Sequence, residues 1–251
     1  MDKDFQYQFR DPEPVLADYI ESIGIFSNPS DQEKDVVVMP DGRIDLFFSQ
    51  TAFNPFQTLL LGLETYPEQR SIQPQTRTFV ISFKPLGAEY ILQKSIAALL
   101  NTATTLPDNF WDFGAADFID FDTFYKKATQ ILTAHLPQKT ALRKHRLFEL
   151  IYTSKGEMSV AELSEKTVWS SRQINRYFNQ QFGLSLKAYC TILRFRASLE
   201  HIAQGKLFPE LNFTDQNHFI KEIKKFSGVV PSELSKNQND RFVLVSVLKQ
   251  R

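Results

Sequence analysis

Two helix-start signals, Ser159 with Glu162 and Ser170 with Gln173, constrain this 251-residue chain more than any other feature. In each, the serine oxygen takes an orphan amide of the first turn and the acid or amide three residues on reaches back to the serine N–H. Residues 159–183, SVAELSEKTVWSSRQINRYFNQQFG, therefore read as two short helices at a tight turn. Val160, Leu163 and, across the turn, Val168 and Trp169 supply the apolar side of the first. Ile174, Tyr177, Phe178 and Phe182 recur at three- and four-residue steps along the second, and Gly183 stands where a left-handed C-cap needs glycine. Arg172, Gln173, Asn175 and Arg176 are left facing outward. Arginine can fork onto guanine or a phosphate, and asparagine or glutamine can pair with adenine, so this face suits a major groove. From the residues alone, the solvated face of an ordinary helical hairpin is an equal reading.

Over residues 141–234 the chain resembles the DNA-binding region of the AraC/XylS family of bacterial transcription regulators, which carries two helix-turn-helix units joined by a long helix. The first unit matches through Ser170, Arg172, Ile174, Arg176, Phe178 and Gly183, and the joining helix through Tyr189 and Arg194. The second matches through NFTDQNHF (212–219), Lys221, Lys224, Lys225, Gly228 and Pro231. The resemblance implies a DNA-contact set of Ser170, Arg172, Gln173, Asn175, Arg176, Gln216, Asn217, His218, Lys221 and Lys224. It implies double-stranded DNA as partner, with a small-molecule effector, RNA polymerase and a second copy of the chain as further candidates. One departure stands out: only KLFPEL (206–211) precedes Asn212, and proline in six residues excludes the usual scaffold helix. The second recognition helix still reads soundly, with Thr214 as its cap and Phe219, Ile223 and Phe226 as its buried stripe.

Charge divides the chain in the same place. Residues 1–140 hold 11 Lys+Arg against 19 Asp+Glu, and residues 141–251 hold 18 against 10, a basic half of the kind that binds phosphate beside an acidic half. The single cysteine, Cys190, permits no intrachain disulfide and reads as a small helix residue. No apolar run of 18 residues and no leader is present, so the expectation is a cytoplasmic protein with no membrane partner.

The acidic half is aromatic and strand-prone, with 14 of the 23 phenylalanines before residue 125. Val36–Met39 and Ile44–Phe48 flank Pro40-Asp41-Gly42, which reads as a hairpin turn. Thr58–Leu63 and Arg77–Phe83 are further strands, and Gly87–Leu92 and Ile96–Leu100 turn helical. PDGRIDLFF and FKPLGAEYIL also resemble sensor-like domains found ahead of this DNA-binding region in some family members. The phenylalanines read as core first and as the lining of an apolar pocket second.

A helix over residues 118–136, started by Asp117, Asp120 and Asp122, closes this domain, and Pro137 ends it. The next helix, 142–152, sets Arg143, Lys144 and Arg146 outward. The joining helix spans 185–204, and RFVLVSVLK (241–249) is a strand-type run.

Enzymatic readings lack their parts. A cupin-like fold would make metal-dependent oxidation the rival, yet none of the four histidines, His135, His145, His201 and His218, falls in the β-rich part. No GxSxG, HExxH or Walker sequence occurs. Asp41 and Asp45 are explained by turn capping and strand-end solvation. The expectation is thus an α+β chain that is not an enzyme and needs no cofactor. A β-rich, cupin-like sensor or dimerisation domain with closing helices occupies 1–137, an all-α double helix-turn-helix domain 141–235, and a tail with a strand-like run 236–251. The function is sequence-specific DNA binding in transcription regulation, with an adaptor whose second unit no longer reads DNA as the alternative.

Overall fold

The computed structural model describes residues 5–51, 56–107, 109–211 and 213–249. Among the described residues eight strands occupy the N-terminal part: β1 (Gln6–Arg10), β2 (Ile20–Asn28), β3 (Lys34–Val38), β4 (Ile44–Gln50), β5 (Gln57–Leu61), β6 (Glu68–Ile72), β7 (Thr76–Phe83) and β8 (Ala103–Leu106). Six of them form an antiparallel sheet in the order β1-β2-β7-β4-β5-β8, and β3 pairs with β6 in a second, two-stranded sheet. Alternation assigns the faces. Ile44, Leu46 and Phe48 of β4 and Phe79, Ile81 and Phe83 of β7 are buried on one side of the large sheet. Helix α1 (Pro85–Tyr90) lies between β7 and β8, and α2 (Phe121–Ala134) follows β8. Phe124 of α2 meets Phe79 and Phe48 at 4.8 and 5.7 Å between ring centroids, which builds an aromatic core on that side.

Seven further α-helices follow among the described residues: α3 (Leu142–Thr153), α4 (Val160–Thr167), α5 (Ser171–Phe182), α6 (Leu186–Ala203), α7 (Gln216–Ser227), α8 (Pro231–Lys236) and α9 (Val243–Lys249). The class is α+β, an antiparallel β region followed by helices. The buried apolar side chains of both halves, from Leu16 to Val245, form one contiguous cluster. The β region and the helices therefore share a core.

The hairpin reading around Pro40-Asp41-Gly42 does not hold. Asp41 does brace the turn by accepting from Arg43 N at 3.0 Å, and Gly42 takes φ +79°. The strands on either side go to different sheets, β3 to β6 with Val36 opposite Arg70, and β4 between β5 and β7. IDLFF buries Ile44, Leu46 and Phe48 on one face and partly buries Phe47 on the other, which suits a central strand, whereas β3 carries Lys34 and Asp35 and tolerates an edge.

The C-terminal run is a helix, not a strand. Asn237, at φ +44°, reverses the chain and buries its side chain. Its Nδ2 donates to Phe242 O at 3.2 Å and to Ser246 Oγ at 2.7 Å, and its Oδ1 accepts from Phe242 N at 2.9 Å. Those bonds start α9 in place, and burial of Phe242 and Val245 outweighs the β propensity of VLVSV. The tail packs on α6 and reaches β3, where Val37 N donates to Arg241 O at 2.7 Å. It closes the junction between the two halves.

Two smaller expectations also change. Val168 adds nothing to the apolar side of α4: it is 84% exposed and, at φ +50°, forms the tight turn itself. Lys144 points inward, to the Glu89 carboxylate and over the Tyr177 ring at 4.6 Å.

Candidate nucleic-acid interface

Both capping boxes form. Glu162 N donates to Ser159 Oγ at 3.2 Å and Ser159 N to Glu162 Oε2 at 2.8 Å; the Ser170–Gln173 pair repeats this at 3.3 and 3.2 Å. Ile174, Phe178 and Phe182 are buried, which fixes the rotation of α5 about its axis. Gly183 ends α5 at φ +79°, and a side chain there would also collide with the Ala97 carbonyl. Arg172, Gln173 and Arg176 are consequently exposed. Arg172 and Arg176, one helical turn apart, share a face, and among the described residues neither enters an ion pair.

Helix α6, about 27 Å long at 1.5 Å per residue, carries the second unit. Arg194 of α6 grips Glu222 of α7 with Nη2 at 3.0 and 3.3 Å from its two carboxylate oxygens. Residues 206–211 contain no helix. Asp215, not Thr214, caps α7 by accepting from His218 N at 2.8 Å, because it is the residue next to the first turn. Phe219, Ile223 and Phe226 are buried, leaving Asn217, Lys221 and Lys224 exposed. Asn212 lies outside the described residues.

Three of the expected contact residues are spent inside the protein. Asn175 accepts from Leu186 N at 3.2 Å and donates to Ser171 O at 3.0 Å, so it ties α5 to the start of α6. Gln216 donates to Leu207 O at 2.9 Å and holds the 206–211 segment in place of a scaffold helix. His218 accepts at Nδ1 from Thr214 N at 3.3 Å, lies edge-on to Phe213 and sits 3.5 Å from Glu222. Ser170 is exposed, with its hydroxyl engaged in the cap. The outward set is Arg172, Gln173 and Arg176 on α5, and Asn217, Lys221 and Lys224 on α7.

Sequence reasoning missed how α5 is held. Tyr177 Oη donates to Glu89 Oε2 at 2.6 Å, Ser95 Oγ to Gln180 O at 2.8 Å, and Gln181 Nε2 to Lys94 O at 2.7 Å. The end of α7 likewise lies against β6, with Pro67 facing Gly228.

It also missed a cavity of about 470 Å³ between the two sheets, closed by α6 and α9. Its wall is apolar, from Phe26 and Phe47 of the large sheet to Val247 and Leu248 of α9, and its floor is charged. Burial would raise the Glu21 carboxyl, but Arg196, Arg43 and Lys84 outweigh it and lower it to about 2. Asp45 is not solvated at a strand end. Enclosed on β4 beside Ser82, it is pushed up to about 6 by burial and by the Asp41 charge, against the Ser82 hydroxyl and the charges of Arg43 and Arg196. Glu64 rises to about 7 through burial, partly offset by Arg70, with Asp41 and Asp45 adding to the rise. Burial also pushes the Cys190 thiol up to about 12, which leaves it unreactive. Among the described residues no group of three or more His, Cys, Asp or Glu is placed to hold a metal ion, and no helix is long and apolar enough to cross a membrane.

Residues 8–105 match the model of a domain of unknown function (DUF6597). No curated protein matches the sequence. Among solved structures, the chain is similar to ToxT from Vibrio cholerae O395, at 12% identity over 94% of this chain and 99% of that one, with a TM-score of 0.41. It is similar to ToxT of the same strain bound to (E)-4-(8-methylnaphthalen-1-yl)but-3-enoic acid, at 12% identity, 93% and 99% coverage and a TM-score of 0.44. Unsaturated fatty acid bound wild-type ToxT from Vibrio cholerae strain SCE256 gives 11% identity, 92% and 95% coverage and a TM-score of 0.40.

Proposed function

We propose that this chain is a cytoplasmic, sequence-specific DNA-binding transcription regulator of the AraC/XylS type, whose β region takes a small-molecule effector. The observation that carries this reading is the pair of arginines, Arg172 and Arg176, exposed on a capped helix and free of ion pairs among the described residues. A guanidinium with no internal partner retains all its donors for a phosphate or a guanine edge. Lys221 and Lys224 supply the same charge on α7, with α6 as the strut between. The cavity beneath α6 gives the effector a place, since its volume is in the range of small-molecule sites.

The test is selection of bound duplexes from random DNA with the full chain, followed by titration against salt. If about six phosphates are neutralised, log K falls against log salt with a slope near −5. A slope near zero, or no enriched sequence, would remove the reading.

The adaptor alternative has one observation in its favour: Gln216 faces inward, so α7 offers a single amide, Asn217, for base reading. A footprint confined to one major groove, unchanged by Asn217→Ala, would favour it over two-groove recognition.

A further inference from the structure

We infer that the cavity between the β region and α6 binds an amphipathic organic cation, an ammonium or amidinium head on Asp45 and an apolar body against α9. The inference deepens the effector half of the proposed function and does not depend on DNA binding.

The charged floor determines the sign of the head group. Every base that lines the cavity already has a carboxylate: Arg196 has Glu21, Arg43 has Asp41 at 3.1 Å and Glu21 at 3.7 Å, Arg70 has Glu64 at 3.1 Å and Glu68 at 2.7 Å, and Lys155 has Glu200 at 4.0 Å. An anionic ligand would have to share its base with the carboxylate already there, which repels it. Asp45 is the opposite case. Its side chain lines the cavity, yet its Oδ1 is occluded and has no hydrogen-bond partner among the described residues. Ser82 donates to this carboxyl and the charges of Arg43 and Arg196 act on it, but among the described residues no base is ion-paired with it, so a cationic donor in the cavity meets a charge the protein leaves poorly compensated. Glu64 lines the same floor and adds a second acceptor.

The rest of the cavity determines the body. Phe26 and Phe47 meet edge-to-face at 5.8 Å over the large sheet, and Val247 and Leu248 face them from α9. Aromatic faces near a carboxylate favour a cation over a neutral or anionic group. The volume accommodates a head with a phenyl ring or a short alkyl chain.

The experiment uses three isosteric probes, 4-phenylbutylamine, 4-phenylbutanol and 4-phenylbutyrate, titrated calorimetrically into the full chain without DNA at pH 8. The amine is expected to bind saturably at one site, with the alcohol at least about tenfold weaker and the carboxylate weaker still. Asp45→Asn should cost the amine about tenfold or more and change the alcohol less than about threefold, because only the charged contact is lost. Glu64→Gln gives a second, milder version of that loss should Asp45→Asn not fold. Val247→Trp, which fills the apolar end, should weaken amine and alcohol together. Carboxylate binding as tight as the amine, amine binding indifferent to both carboxyl substitutions, or no saturable binding of any probe would overturn the inference. None of these outcomes bears on whether Arg172 and Arg176 read DNA, so the two proposals fail separately.

Discussion

Tyr177 of α5 donates its hydroxyl to Glu89 of α1 at 2.6 Å, 88 residues away in sequence. Lys144 of α3 takes the other oxygen of the same carboxylate. One acid thus fastens the helix that presents Arg172 and Arg176 to the β region.

Replacing Glu89 with alanine leaves a partly buried ammonium and a buried phenol without their acceptor. The expected cost is about 3 kcal/mol in urea unfolding of the full chain. Glu89→Gln, which keeps an acceptor for Tyr177, should cost less. Equal losses for the two would show that the charge on Glu89 is irrelevant.

The outward and inward polar residues of the recognition helices should separate in binding assays. Arg172→Ala and Arg176→Ala are each expected to cost about 1–3 kcal/mol and to relax preference at particular bases, whereas Lys224→Ala weakens all sequences alike. Asn175→Ala, whose side chain joins α5 to α6, should instead lose about 1–2 kcal/mol of stability and keep the base preference. Selection of bound sequences with each variant, beside its unfolding curve, distinguishes the classes.

Asn237→Ala removes three hydrogen bonds from a buried site. A loss of roughly 2–3 kcal/mol is expected, concentrated in α9. Hydrogen exchange provides the readout: amides of 243–249 should lose protection before those of β4 and β7, and uniform loss would contradict this placement of α9.

Asp45→Asn should stabilise the protein in a pH-dependent way. A carboxyl raised from its ordinary value of 3.8 to about 6 binds its proton more tightly in the folded state than in the unfolded state. Its contribution is therefore present below pH 4 and is lost as pH rises through 6. The asparagine, which never ionises, should gain about 3 kcal/mol, or roughly 6–12 °C in Tm, at pH 8 and little at pH 4. Glu21, lowered to about 2, behaves oppositely, with stability present above pH 4.5 and lost toward pH 2. A thermal scan across pH with Asp45→Asn and Glu21→Gln checks both signs.

The helices that carry the candidate interface were legible because their signals are local. Ser159, Ser170 and Gly183 declare ends within one turn, and the Ile174, Phe178 and Phe182 stripe fixes a face. Strand pairing was not, because PDG is compatible with a hairpin and with a crossing between sheets, and only the pairing of β4 between β5 and β7 decides. Asn175 and Gln216 carry groups that could read adenine, yet they satisfy backbone groups at Leu186 and Leu207 that the one-dimensional pattern does not bring near. Val243–Lys249 misled for the same reason: seven residues of β-prone composition became a helix through a buried asparagine upstream. An apolar pocket lined by N-terminal phenylalanines was a second reading of the composition, and Phe26 and Phe47 do line the cavity, but its charged floor was not legible, since it gathers Glu21, Asp45, Glu64 and Arg196 from four separate segments.

The cavity lies between β4 and α6, so whatever occupies it touches the helix that joins α5 to α7 as well as the sheet. Thermodynamic linkage then makes the traffic two-way. A ligand that changes affinity for a DNA site tenfold must find its own affinity changed tenfold, in the same direction, when that site is bound. The chain would report its DNA to the small molecule as faithfully as it reports the small molecule to DNA.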